Sequence, residues 1–317
     1  MHIVQIYHAR VPVSLYGGME RVVESLLEGF IELGHKVTLI SYQGDYQIPG
    51  VNFIPLDRYK NMEEANERFV ELIPKDADIV HFHLPLTFEK FPFPYICTMH
   101  GNMHPQEDKN ALHDNVIFLC RDHAERHGKK NFVFNGLNPK NIPLNKTSLK
   151  ERKYFSFLGR AGLKRKGLHL AKKIASRTST KLKIGGGRGF GWFGQYEFLG
   201  HVNNQEKFAL LGHSKALLFP ILWQEPFGLV MIEAMFSGTP VFALKYGSVP
   251  EVLGQAGSEQ LFLEANDLEQ LMPLIEAYTY SASPTQIRSY AEQHFTHLKM
   301  CQGYLPFYHA AMGKMAL

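Results

Sequence analysis

Short apolar runs alternate with longer segments of helical period along almost the whole chain. His2 to Tyr7 reads as a strand. Gly17 to Leu33 then places Val22, Val23, Leu26, Leu27 and Phe30 on one helical face, with Gly34 as its stop. Lys36 to Ser41, Val51 to Pro55, Asp78 to Phe82, Tyr95 to Met99, Val116 to Leu119 and Asn131 to Phe134 are further short strands by the same criterion. From Pro139 to Lys153 the composition turns polar and basic and the period is lost, as expected of a linker. A second alternating series follows. Its strands are Tyr154 to Leu158, Lys181 to Ile184, Tyr196 to Leu199, Ala216 to Phe219, Val241 to Leu244 and Leu261 to Leu263. Its helices are Gly167 to Arg177, Asn204 to Gly212, Phe227 to Ser237, Val249 to Leu253, Asp267 to Tyr278 and Pro284 to His294, and Leu298 to Ala311 is a last amphipathic helix. Such alternation predicts two doubly wound, Rossmann-like α/β domains, over residues 1–150 and 151–294.

Composition narrows the picture. A chain of 317 residues has room for two domains, and 45% apolar content supports large cores. Cys97, Cys120 and Cys301 lie far apart and suggest core thiols in a reducing compartment. The N-terminus lacks a cationic region followed by an apolar one, and no apolar run is long enough to span a bilayer. A cytoplasmic enzyme, at most peripheral to the inner membrane face, is the expectation. A net charge of +4 is mild; it permits a phosphate-bearing ligand and gives no reason to expect nucleic acid.

Open parallel sheets bind ligands beyond the carboxyl ends of their strands. Polar residues gather there: His8, Arg10, Gly17, Gly18 and Glu20 after the first strand, His81 and His83 after Asp78 to Phe82, His100 and Gly101 after Tyr95 to Met99, and Asn135 and Gly136 after Asn131 to Phe134. In the second domain the richest stretch is Pro220 to Pro240, P-I-L-W-Q-E-P-F-G-L-V-M-I-E-A-M-F-S-G-T-P. Pro226 suits the opening of a helix, and Glu225 before it is pushed outside. The amides of Phe227, Gly228, Leu229 and Val230 would then form an anion site at the positive end of a helix. Glu233 would lie about 12 Å from Glu225, at 1.5 Å per residue. A glycosidase carboxylate pair needs roughly 5–9.5 Å, so that chemistry does not fit. Two acids flanking an anion site fit an extended ligand with an anionic middle, although an isolated E-x7-E is equally a dipole-favoured acid plus a surface Glu.

The whole string decides between these. E-P-F-G-L-V-M-I-E-A-M, followed by G-T-P-V and G-S-V-P-E-V (Gly247 to Val252), resembles the donor-site signature of family 4 retaining glycosyltransferases, which have the GT-B fold. Gly159-Arg160 with Lys166-Gly167 resembles that family's G-R…K-G motif. The spacing is one residue longer than usual, which makes Lys166 the first candidate and Lys164 the second. Tyr16-Gly17-Gly18-Met19-Glu20 resembles its first-loop glycine pair, and Thr98-Met99-His100-Gly101 its T-x-H-G.

The resemblance implies two domains facing across a cleft, with residues 295–317 returning as a helix onto the first. It implies that Arg160 and Lys166 hold the diphosphate of a nucleotide sugar with the Leu229 and Val230 amides. Glu225, with the Phe227 and Gly228 amides, would hold the sugar. Glu233 would hold the ribose, His100 would touch the sugar, and Gly17 and Gly18 would approach the donor. No metal or other cofactor is implied. The acceptor is a saccharide, a lipid-linked compound or a small molecule, met by loops near Asn102 to Asp114. A non-catalytic nucleotide-sugar binding module, a sugar-nucleotide epimerase of related fold and a Rossmann oxidoreductase are the rival readings.

Other patterns carry less. His81-x-His83, His100-x3-His104 and His123-x3-His127 have metal-ligand spacing but no acidic or thiol partner at a fixed offset. Asp76-Ala77-Asp78 precedes its strand, at the wrong edge for an active site. Gly189-x-Gly191-x-x-Gly194 precedes a strand, not the helix that a dinucleotide fingerprint needs. Phe88 to Tyr95 is aromatic and proline-rich, suited to a lipid-linked acceptor or to packing in the core.

Overall fold

The computed structural model describes residues 1–13, 17–45, 47–56, 62–84, 91–104, 112–189 and 194–315, and side chains for all of these but 62, 63, 65, 66, 314 and 315. Tyr16, Phe88 to Lys90, Gly191 and residues 105–111 of the expected acceptor loop lie outside the described residues. The chain divides into two compact units, Met1–Asn138 with His297–Leu317, and Pro139–Thr296.

The first unit contains β1 (His2–Val11), α1 (Gly18–Glu32), β2 (Lys36–Gln43), β3 (Val51–Pro55), α2 (Met62–Leu72), β4 (Ile79–Phe82), β5 (Tyr95–Thr98), β6 (Val116–Ile117) and α3 (Arg121–Arg126). Its strands form one parallel sheet in the order β3-β2-β1-β4-β5-β6. Helices cover both faces of β1 and β4, and Ile3, Val4, Ile6, Ile79, Val80 and Phe82 are fully buried. α1 turns its predicted stripe inward.

The second unit contains β7 (Tyr154–Leu158), α4 (Leu168–Arg177), β8 (Lys181–Gly185), β9 (Tyr196–Gly200), α5 (Asn204–Gly212), β10 (Leu217–Phe219), α6 (Leu229–Phe236), β11 (Val241–Leu244), α7 (Val249–Leu253), β12 (Leu263–Ala265), α8 (Leu268–Ala277) and α9 (Pro284–His294). The last helix, α10 (His297–Met315), belongs to the first unit. It packs on α1 where Gly29 leaves room: a Cβ there would meet Cys301 Sγ at 2.6 Å. The second sheet runs β12-β11-β10-β7-β8-β9, the same winding as the first. Each sheet therefore reverses its strand order at one place, between β1 and β4 and between β7 and β10. Ligands of doubly wound sheets bind at that place.

The structure departs from the sequence pattern at several points. Asn131 to Phe134 is not a strand; only a single bridge joins Phe132 to Phe118. The strand expected at Leu261 to Leu263 begins where that run ends. The helices α2 and α3 are additions to the expected elements. Phe91, Phe93 and Tyr95 pack against the first core, which accounts for the described part of the aromatic run.

Residues 139–153 are not a free tether. Arg152 is buried, and its guanidinium donates to the carbonyls of Asn145, Thr147 and Ser214 and to Thr239 Oγ1. Arg288 Nη1 and Nη2 donate to the carbonyls of Ile142, Phe236 and Pro139. Most residues of this stretch are exposed, as expected of a linker, yet one cation, Arg152, is buried as its hydrogen-bonding centre. Burial lowers the Arg152 guanidinium to about 10. Arg152→Met should lower the unfolding free energy by roughly 3 kcal/mol, since several charge-assisted bonds are lost. Lys153→Met, at an exposed neighbour, should stay within about 0.5 kcal/mol. Urea unfolding of both variants measures the difference.

Candidate active site

In the second unit, the loops after β7 and β10 meet at the switch point. Gly159 and exposed Arg160 leave β7, and a 3-10 turn, Lys164–Lys166, leads to Gly167 with φ +77°. A Cβ on Gly167 would fall 1.8 Å from the Pro220 carbonyl oxygen. Only glycine permits this approach. The turn is thereby pressed against the end of β10, and the Leu222 amide donates to the Arg165 carbonyl at 2.8 Å.

The contact brings Lys166 to Glu225. Lys166 Nζ lies 2.8 Å from Glu225 Oε2, and Trp223 Nε1–H donates to the same oxygen at 2.9 Å. The Trp223 ring also carries Lys166 at 4.6 Å and Arg165 at 4.8 Å from its centroid. Of the two candidate lysines, Lys166 is the one that reaches Glu225. Neither Trp223 nor Arg165 stood out in the sequence. Tryptophan two residues before an acid has no motif of its own, and the contact depends on the Gly167 turn.

Gly247 and Ser248 explain why G-S-V-P-E-V accompanies E-P-F-G. Gly247 has φ +58°, and a Cβ there would meet the Glu225 backbone at 2.4 Å. The Ser248 amide donates to the Glu225 carbonyl at 3.0 Å, and Ser248 Oγ to the Phe227 carbonyl at 2.8 Å. The second motif thus clamps the first.

Two expectations need correction. The helix begins at Leu229, not at Phe227, because Gly228 takes a left-handed conformation, φ +77°, which a right-handed helix cannot include. Leu229 and Val230 supply the first-turn amides; Phe227 is a buried loop residue, and Gly228 caps. The 12 Å helical span from Glu225 to Glu233 therefore does not apply. Glu233 is buried, and its Oε1 is paired with buried Lys207 of α5. Lys207 was invisible as a partner because it lies on another helix.

The first unit places His100 just past β5, half-buried. Its loop is pinned by α3. His123 Nε2–H donates to the Gly101 carbonyl at 3.0 Å, His127 Nε2 accepts the Met103 amide at 3.2 Å, and Arg126 donates to Asn102 at 2.9 Å. His123 Nδ1 accepts the Leu119 amide, and His127 Nδ1–H donates to the His123 carbonyl. All four ring nitrogens bond backbone groups, two of them on the loop, which accounts for the His-x3-His spacing structurally. His100 Nε2 meets His83 Nδ1 at 3.0 Å. Burial holds both rings neutral: His100 is pushed down to about 4, and His83 well below its usual value.

Gly17 caps α1 in extended geometry, and a Cβ there would meet Glu20 Oε2 and Val13 Cγ2 at 2.7 Å. Gly18 has open space around it. Of the predicted pair, only Gly17 has close neighbours, the ends of two side chains. At the opposite sheet edge, Asp76 pairs with Lys36 and His2, and Asp78 accepts the His2 amide.

These two Rossmann-like units match known proteins. The fold is that of the GT-B glycosyltransferases. A solved structure of a glycosyltransferase involved in avilamycin A biosynthesis aligns over 98% of both chains, with a TM-score of 0.76 at 20% identity. Residues 16–139 match the family model Glycosyltransferase Family 4, and residues 141–294 match Glycosyl transferases group 1. The chain is a GT-B fold glycosyltransferase related to these two families. An uncharacterized 41.2 kDa protein in the cps region of Klebsiella pneumoniae is 32% identical over 113 residues, 35% of this chain and 31% of that protein. The match thus spans about a third of that relative's length. An uncharacterized glycosyltransferase of Methanocaldococcus jannaschii is 24% identical over 76% of this chain and 80% of its own.

Two measurements follow from the buried charges. Glu233→Ala strands Lys207 in the core and should cost about 3–5 kcal/mol, whereas Glu233→Leu with Lys207→Met should recover most of it. Denaturant unfolding compares the two. The second concerns acid. His123, pushed down to about 3 by burial, binds its proton less readily folded than unfolded. Its stabilising contribution is full above the unfolded value of about 6.5 and declines as pH falls below it. Between pH 7.5 and 5.0 this residue alone should remove about 2 kcal/mol, and His123→Asn should flatten that slope in thermal unfolding.

Proposed function

We propose that the chain transfers a sugar from a nucleoside diphosphate sugar to a hydroxyl-bearing acceptor, with retention at the anomeric carbon. One observation supports this most strongly. Arg160, the Lys166–Glu225 pair and the first turn of α6 share one sheet edge at the second unit's switch point. Two cations and helix-terminal amides match a diphosphate; an adjacent carboxylate matches sugar hydroxyls. Lys166 and Trp223 both bond Glu225 Oε2, leaving Oε1 to accept from the sugar. Arg160 and Lys166 would stabilise charge on the departing nucleotide, the term expected to dominate the rate. His100 is neutral and is not assigned as a proton donor. The acceptor's proton passes to the leaving phosphate on the same face. The acceptor is a saccharide, a lipid-linked compound or a small molecule, and a lipid-linked acceptor would bring the enzyme to a membrane surface.

Thermal shift with UDP, GDP, ADP and dTDP, each alone and as its sugar, tests donor binding. A ligand at 100 times its Kd should add about 2.7 kcal/mol. If no nucleotide moves the melt, the reading fails. Nucleotide release that depends on acceptor separates an enzyme from a binding module. Arg160→Ala should lower kcat by about 10²–10³ without lowering Tm. The Glu233→Leu, Lys207→Met variant keeps the pair's volume, so weaker nucleotide binding by that variant would assign Glu233 to the ribose.

A further inference from the structure

A buried polar chain runs from His100 through the first unit's sheet to α10. His100 Nε2 meets His83 Nδ1 at 3.0 Å, and His83 Nε2 meets Gln5 Oε1 at 2.7 Å. Gln5 Nε2 reaches the Tyr308 hydroxyl at 3.2 Å, which meets His81 Nδ1 at 2.8 Å. His81 Nε2 meets Thr98 Oγ1 at 2.7 Å, and Thr98 Oγ1 meets the Tyr304 hydroxyl at 2.9 Å. Gln5, His81, His83, Thr98, Tyr304 and Tyr308 are all essentially inaccessible to solvent.

The proton positions in such a chain are coupled. A neutral imidazole has one donor and one acceptor, so fixing one bond fixes the next. The 2.7 Å approach suits N–H···O and is short for N–H···N, so the Gln5 oxygen faces His83. His83 therefore donates from Nε2 and accepts at Nδ1. His100 must then donate from Nε2. In the other direction the Gln5 amide donates to Tyr308, Tyr308 donates to His81 Nδ1, His81 donates from Nε2 to Thr98, and Thr98 donates to Tyr304. Every member is satisfied with all three rings neutral, the state their burial favours. Reversing the chain would require turning Gln5 and placing two nitrogens 2.7 Å apart.

We propose that Gln5, His83 and Tyr308 are positioning residues that hold His100 as its Nε2–H tautomer, so that it meets a substrate hydroxyl as a hydrogen-bond acceptor through Nδ1. The functional part of this assignment rests on the sugar-transfer reading; the tautomer does not. α10 thereby contributes to the site without reaching it. Tyr304 and Tyr308, one turn apart, supply the hydroxyl groups that complete the chain.

Long-range 1H–15N correlation on protein with 15N-labelled histidine reads the tautomer directly, and His100→Asn identifies the resonance. At pH 7.5 wild-type His100 should appear as one neutral species protonated on Nε2. In Gln5→Leu, and separately in Tyr308→Phe, that single pattern should be lost. In both variants kcat should fall about tenfold, the worth of one well-placed hydrogen bond, with UDP or GDP affinity kept within about twofold. A wild-type His100 protonated on Nδ1, or an unchanged His100 pattern in a folded variant, overturns the proposal. The wild-type spectrum decides the tautomer even if a variant does not fold. If the tautomer and its loss are both seen but no donor supports turnover, the sugar-transfer reading and the functional part of the assignment fail, and the tautomer assignment stands.

Discussion

The donor-side geometry of the second unit depends on a missing methyl group. With any side chain at Gly167, the turn carrying Lys166 could not lie against the Pro220 carbonyl, because the Cβ would sit inside the oxygen. The Lys166–Glu225 bond and the stacking of two cations on Trp223 follow from that approach. Gly247 repeats the device on the far side of Glu225. A carboxylate held from both sides by glycine-permitted contacts loses little freedom when a ligand arrives, which is the physical content of preorganisation.

The first unit solves a different problem. Its sheet carries histidines, a glutamine and tyrosines through the interior, where an unsatisfied polar group is costly. It meets that cost by linking them end to end, with α10 as the terminus. The same residue type also anchors the loop after β5, where His123 and His127 use both ring nitrogens on backbone groups. The chain contains 16 histidines, and burial keeps His81, His83, His100 and His123 of this unit neutral as hydrogen-bonding groups.

Much was legible before any coordinates. Alternating periods gave both doubly wound sheets, since strand and helix periods differ and each buried face needs apolar residues at its own spacing. The E-P-F-G string, Gly159-Arg160 and Thr98 to Gly101 marked the carboxyl edges because local turn chemistry is written in neighbouring residues. The reading slipped where the deciding contact was remote. Pro226 looked like a helix start, but the conformation of Gly228, packed on Phe219 and Met231, delays the helix. The basic stretch 139–153 looked like a free linker, and most of it is exposed, but Arg152 and Arg288 tie its backbone to the second unit.

By itself, then, the order of residues determined the fold class, the family and the edge on which the chemistry sits, because those depend on periodicity and on short motifs. Only the tertiary structure decided which charges meet. Lys207 with Glu233, Lys166 with Glu225, and Gln5 with His83 and Tyr308 are pairings across separate elements. A one-dimensional pattern carries no distance between residues far apart in the chain. Burial then sets the protonation and partner of each, and burial exists only once the sheets and helices have packed.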